Sequence, residues 1–162
     1  MSKNEEQYEI DFEKIQSKEH DIEFEWLTKL YLAIVSRDED TLINLLRNQP
    51  KFSPSFWDRN GGDSPLHWSI YSGDLSILKT LVEFKLISIN HLNHGSETPL
   101  LCSVKEHNYE MAELLLLNGA DLLITNTEGL SPLHFSAKLL SVNISKLLVE
   151  YSSLVKPSIT HQ

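Results

Sequence analysis

Three prolines set the period of this chain. Pro65, Pro99 and Pro132 are 34 and then 33 residues apart, and each sits between a hydroxyl residue and a leucine, in Ser64-Pro65-Leu66, Thr98-Pro99-Leu100 and Ser131-Pro132-Leu133. A Ser or Thr N-cap accepts a bond from an orphan backbone N–H, and proline presets φ where no donor is needed, so each segment predicts a helix start. Repeats of this length stack, because one unit cannot bury its own apolar face.

The similarity extends past the prolines. A small residue follows each by four places (Ser69, Ser103, Ser136), and an apolar pair keeps a constant offset further on (Leu81-Val82, Leu115-Leu116, Leu148-Val149). Gly62-Asp63-Ser64-Pro65-Leu66-His67 and Gly129-Leu130-Ser131-Pro132-Leu133-His134 are near copies, each opening on a glycine turn. Asn118-Gly119-Ala120-Asp121 closes the third unit, and Gly73 separates two helical stretches in the second. With T-P-L-H-like starts at this spacing, the chain resembles the ankyrin-repeat family. The resemblance covers about residues 24 to 151 and implies an all-α solenoid of helix-turn-helix units joined by short hairpin turns. His67 and His134 then brace neighbouring turns. Asn90 falls where the family has a turn asparagine; such residues can be hydroxylated in eukaryotes, and a turn-bracing role is the alternative.

Three units are recognisable, at about 58–91, 92–124 and 125–151, with helices expected near Ser64–Ser72 and Leu75–Phe84 in the first of them. A degenerate unit precedes them, within 22–57. Trp26, Leu27, Leu30, Ala33 and Ile34 keep helical spacing, Asp38-Glu39-Asp40 interrupts, and Leu42, Ile43, Leu45 and Leu46 resume it. A shift of 36 residues lays Ala33 on Ser69, putting Lys29 where proline stands and Arg37 where the inter-helix glycine stands. His107 and Leu140 replace that glycine in the later units, and Leu101 replaces the histidine.

Outside the repeats, residues 1–21 form an acidic helix or arm. Residues 1 to 25 hold nine acids against three lysines, and Tyr8, Phe12 and Ile15 would share one helical face. The connection from Pro50 to Gly62 carries Phe52, Phe56 and Trp57, which either pack under the loop or anchor a partner. The last unit has more apolar surface than an exposed terminal repeat needs. Either the tail 152–162, through Leu154, Val155 and Ile159, folds back over it, or this end meets another protein.

A net charge of −9 argues against general affinity for nucleic acid or an anionic membrane. No apolar run approaches the ~20 residues of a membrane span, and the acidic N-terminus is unlike a secretory signal. Cys102 is the only cysteine, which excludes an intramolecular disulfide and fits a reducing cytoplasm or nucleus. His91 and His94 are too few for a metal site. No nucleophile elbow, phosphate loop or zinc-protease motif is present, so no catalytic residue, metal or cofactor is expected.

What the resemblance implies is protein recognition through a concave face built from turn tips and inner helices. Carried across position by position, the variable sites are Arg59, Asn60 and Asp63, then His94, Gly95 and Glu97, then Thr127, Glu128 and Leu130 at the tips. Inner-helix candidates are Tyr71, Ser72, Lys105, Glu106, Lys138 and Leu139, with Val35 and Ser36 from the degenerate unit and Trp57 from the loop. Trp68 and Phe135 are expected to pack between repeats instead. The chain would act as an adaptor or inhibitor, as a monomer or within a hetero-complex. Three alternatives stay open: a bacterial or viral effector working in a host cytosol, an assembly chaperone that uses the acidic arm on a basic client, and an enzyme without a recognisable motif.

Overall fold

A computed structural model describes residues 18–50 and 62–154 of the chain. Their helices pair in order: α1 Lys18–Val35 with α2 Glu39–Arg47, α3 Pro65–Ser72 with α4 Leu75–Phe84, α5 Pro99–Lys105 with α6 Tyr109–Leu117, and α7 Pro132–Lys138 with α8 Val142–Leu154. The first members stack as an inner row, α1 on α3 on α5 on α7, and the second members as an outer row beside it. None of these helices is long and apolar enough to cross a membrane.

Each inner helix is short because its ends are fixed by sequence. Ser64, Thr98 and Ser131 take extended backbone at the N-cap, with the prolines at the first helical positions. In α7 the His134 N–H reaches Ser131 Oγ at 3.4 Å, and the Ser131 N–H returns a 3.1 Å bond to His134 Nδ1, a reciprocal capping box. At the other end Gly73 turns left-handed at φ 71°. Arg37, His107 and Leu140, the residues expected in place of that glycine, do the same at φ 59°, 55° and 55°. The next residue's N–H then closes each Schellman turn, with bonds of 2.9 Å from Asp38 to Ala33, Asn108 to Ser103 and Ser141 to Ser136.

Asp38, Asp74 and Asn108 sit one place after the left-handed residue and cap the outer helices. Their side chains accept from the backbone of Thr41, of Ser76 and Ile77, and of Met111 respectively. The acid run 38–40 is thus the cap and first turn of α2, where negative charge meets the helix dipole.

Close stacking of the inner row explains the small residue four places after each proline. Ser69, Ser103 and Ser136 are fully buried, and each hydroxyl donates to the carbonyl three residues back at 2.7–2.9 Å, so no polar atom is left wanting. The core runs without a break from Trp26 and Leu30 through Leu66, Ile70, Leu78, Leu100, Met111 and Leu115 to Ile144 and Leu148. Within the first hairpin Trp26 Nε1 donates to the Leu45 carbonyl at 3.1 Å. Three polar ties join that hairpin to the next unit: the Ser76 and Thr80 hydroxyls of α4 donate to the two oxygens of Glu39 at 2.8 and 2.9 Å, and Arg37 Nη2 donates to the Ser72 carbonyl at 2.7 Å.

Two expected boundaries move. α1 begins at Lys18, so the division expected at 21/22 falls inside a helix. α8 continues to Leu154, so that residue, 77% exposed, extends the helix rather than folding back over it. Tyr8, Phe12, Ile15, Phe52, Phe56, Val155 and Ile159 lie outside the described residues.

Candidate partner-binding face

The turns before α5 and α7 are built alike, around asparagines 33 residues apart. Asn93 Oδ1 accepts the N–H groups of Gly95 and Glu97, each at 3.0 Å, and Asn126 Oδ1 accepts those of Glu128 and Leu130 at 3.0 and 3.1 Å. The Asn93 N–H bonds the Glu97 carbonyl and the Asn126 N–H that of Leu130, both at 3.1 Å, closing each tip into a narrow hairpin. Left-handed backbone at Ser96 (φ 56°) and Gly129 (φ 74°) completes the match.

Neighbouring tips are tied to one another. Asn93 Nδ2 donates to Asp63 Oδ1 at 2.8 Å, and the Thr127 N–H donates to the Gly95 carbonyl at 3.3 Å. Beneath them His67 is fully buried. Its Nδ1 accepts the Ser64 N–H at 3.1 Å, which assigns the proton to Nε2, 3.0 Å from the Glu97 carbonyl. Burial pushes its pKa below the ordinary histidine range, against the opposing pull of the Glu97 carbonyl and of Asp63. Further out on the stack, the Asn90 side chain accepts the Asp121 N–H at 2.8 Å, a turn brace that links the second and third units.

Along the inner row side chains of neighbouring units meet one another. Trp68 packs edge-on to Tyr31 with ring centroids 5.3 Å apart, and Tyr71 Oη lies 3.4 Å from Cys102 Sγ. Lys105 Nζ and Lys138 Nζ each sit 5.7 Å from the centroid of Phe135. The Glu97 carboxylate reaches from its tip to Lys105 Nζ, at 2.8 and 3.0 Å. Burial would lower the Lys105 pKa, but this carboxylate outweighs it and the net shift is upward. Cys102 is buried, and desolvation pushes its thiol up to about 12.

The structure therefore sorts the expected contact residues. His94, Lys105, Glu106, Thr127, Glu128 and Lys138 are exposed on the tips and inner helix ends. Asp63, Tyr71, Ser72 and Glu97 are half-buried and already engaged within the chain. The Ser72 hydroxyl donates to Ser69, and its carbonyl accepts Arg37 Nη2 at 2.7 Å. Trp68 and Phe135 are buried between repeats, as expected of them. Trp57, Arg59 and Asn60 lie outside the described residues.

Sequence reasoning missed Asn93 and Asn126 as tip builders. Their own 33-residue spacing was the available signal, and Asn60 stands 33 residues before Asn93. It also missed the role of Arg37, whose guanidinium anchors the first unit to the end of α3 and which no proline-based register reveals.

The family model for ankyrin repeats, in three copies, matches residues 30–126. Among curated proteins the chain is 30% identical over 135 residues to the ANK repeat-containing protein nipk-1 of Caenorhabditis elegans, covering 75% of this chain and 22% of that protein. It is also 30% identical over 125 residues to ankyrin repeat protein L371 of Acanthamoeba polyphaga mimivirus, covering 76% and 16%. To palmitoyltransferase AKR1 of Lachancea kluyveri it is 26% identical over 147 residues, covering 89% and 19%. The chain thus spans no more than about a fifth of the length of these relatives.

Proposed function

Because the chain belongs to the ankyrin-repeat family, whose repeats generally mediate protein–protein interaction, we propose that it is a non-catalytic recognition module that binds a partner protein across its turn tips and inner helix ends. The observation that carries this reading is the tying of tip to tip, through Asn93 to Asp63 and Thr127 to Gly95. A surface whose backbone is already fixed loses little conformational entropy when a partner docks, so more of the contact energy appears as affinity. The exposed His94, Thr127, Glu128, Glu106 and Lys138 supply both signs of charge and hydrogen-bonding groups on that frame. Occupation of the partner's surface by this module would make it an adaptor or an inhibitor.

The resemblance to a palmitoyltransferase covers 19% of that enzyme and supports shared repeats rather than shared catalysis. The test is affinity capture with the intact chain, then quantitative binding of the recovered protein. His94→Ala, Glu128→Arg and Lys138→Glu together are expected to weaken binding at least tenfold while leaving the thermal midpoint in place, since all three side chains are exposed. Affinity unchanged by the triple variant would overturn the reading.

A further inference from the structure

The two ends of the stack differ in chemistry. Counting from each proline, and from Lys29 in the first unit, the residue one place on is Leu30, Leu66, Leu100 and then Leu133. The first three are 1% exposed or less and the last is 39% exposed. Five places on, Ile34, Ile70 and Val104 are buried where Ala137 is exposed. Seventeen places on, Leu46 and Leu116 are buried and Val82 is half-buried where Val149 is 55% exposed. These are the positions that the following unit covers. In the fourth unit they stay open, and Ala137 and Val149, with Leu140 (84% exposed) and Val142 (63% exposed), line a shallow apolar groove of about 480 Å³ between α7 and α8.

The opposite end is finished differently. Twelve and fifteen places on, Ile77 and Thr80, Met111 and Leu114, and Ile144 and Leu147 face the preceding unit and are wholly or largely buried; the first unit has exposed Thr41 and Asn44 there. On α2 the first unit is thus polar, as the outer face of a terminal repeat requires, although α1 leaves Leu32 54% exposed and Val35 43% exposed, whereas the fourth unit has the surface of an interior repeat. Head-to-tail stacking of two copies would set Val149 of α8 on Thr41 and Asn44 of α2, which is a poor match.

We propose that the open face of the fourth unit is a two-fold dimer interface in which the α7–α8 groove of one copy meets the same groove of a second. An isologous contact buries Ala137, Leu140, Val142 and Val149 of both copies and closes at two subunits. Charge supports the arrangement. Lys146 and Glu150 line the groove one helical turn apart, and neither forms a salt bridge within the described residues. An antiparallel approach of two α8 helices around residue 148 sets Lys146 of each copy opposite Glu150 of the other.

Sedimentation of the full chain across a concentration series tests this directly. The expected result is a reversible monomer–dimer equilibrium that stops at the dimer. Val149→Glu raises the dissociation constant at least tenfold with an unaltered circular dichroism spectrum, because the side chain is exposed in the monomer. Lys146→Glu weakens the dimer, and adding Glu150→Lys restores it by re-pairing across the axis, independently of folding. A chain that stays monomeric to millimolar concentration, association that continues past two subunits, or a dimer indifferent to Val149→Glu would each overturn the proposal.

Discussion

His67 Nε2 lies 3.0 Å from the carbonyl oxygen of Glu97, 30 residues along the chain and in the next repeat. The imidazole caps its own helix by accepting at Nδ1 and holds the following tip by donating from Nε2; the Nδ1 bond requires the neutral ring, whereas the Nε2–H bond survives protonation. Its folded pKa is depressed below the ordinary 6.5, first by burial and further by His91 nearby, whereas Asp63 and Glu97 pull the other way. A depressed histidine pKa stabilises the fold above about 6.5, and that contribution is lost as the pH falls from there towards the folded value. Urea unfolding at pH 7.5 and 5.5 is expected to show a lower midpoint at the acid end. His67→Gln, which keeps a capping side chain but cannot titrate, should cost about 1–3 kcal/mol at pH 7.5 and flatten the pH dependence.

Ser96 and Gly129 occupy the same place in successive tips and share left-handed backbone, at φ 56° and 74°. A Cβ on Gly129 would meet nothing within 4 Å, so the cost of a side chain there is conformational alone. Gly129→Ser is expected to destabilise by about 1 kcal/mol, and Ser96→Gly to stabilise by about 0.5 kcal/mol once the added freedom of the unfolded chain is subtracted. Thermal unfolding of the two single variants decides it; equal signs would show that φ is not the controlling factor.

Cys102 sits beneath Tyr71 with its thiol pKa pushed to about 12, mainly by desolvation. At pH 8 on the order of one thiol in ten thousand would be ionised, and the thiolate is the reactive form. An aromatic disulfide reagent should therefore modify the native chain only as fast as the third unit opens. Adding urea below the unfolding midpoint should raise that rate in step with the open population. Immediate stoichiometric labelling of native protein would contradict the buried position.

How far the sequence discloses this depends on whether a residue's role is set within its own repeat. Pro65, Pro99 and Pro132 fix helix starts by local chemistry, so the stack, its period and even the left-handed sites at Arg37, His107 and Leu140 follow from register alone. Glu97 is different. Its offset marks it as a free tip residue, yet in three dimensions it turns back to Lys105 and lends its carbonyl to His67. Asp63 is likewise taken up by Asn93 of the next tip. Contacts between repeats join residues about 30 apart, and a list of variable positions carries no information about which are already satisfied. The polar face of α2 is legible in Thr41 and Asn44 only once the structure shows which offsets face backward.

Trp68 gives the sharpest view of how the units depend on one another. It is 5% exposed, and its indole meets the Tyr31 ring edge-on at 5.3 Å, on the seam between the first hairpin and the recognisable repeats. Removing the ring leaves a void that the stacked α1 and α3 backbones cannot collapse to fill, and such truncations cost about 3–5 kcal/mol. In a linear array that loss falls on one interface rather than on the whole, because each unit touches only its neighbours. Hydrogen exchange on Trp68→Ala should show amides of α1 and α2 exchanging faster by two or more orders of magnitude, while α5 to α8 keep most of their protection. Uniform loss of protection along the chain would mean that the four units fold as one cooperative block, and that the seam at Tyr31 and Trp68 is not a separable one.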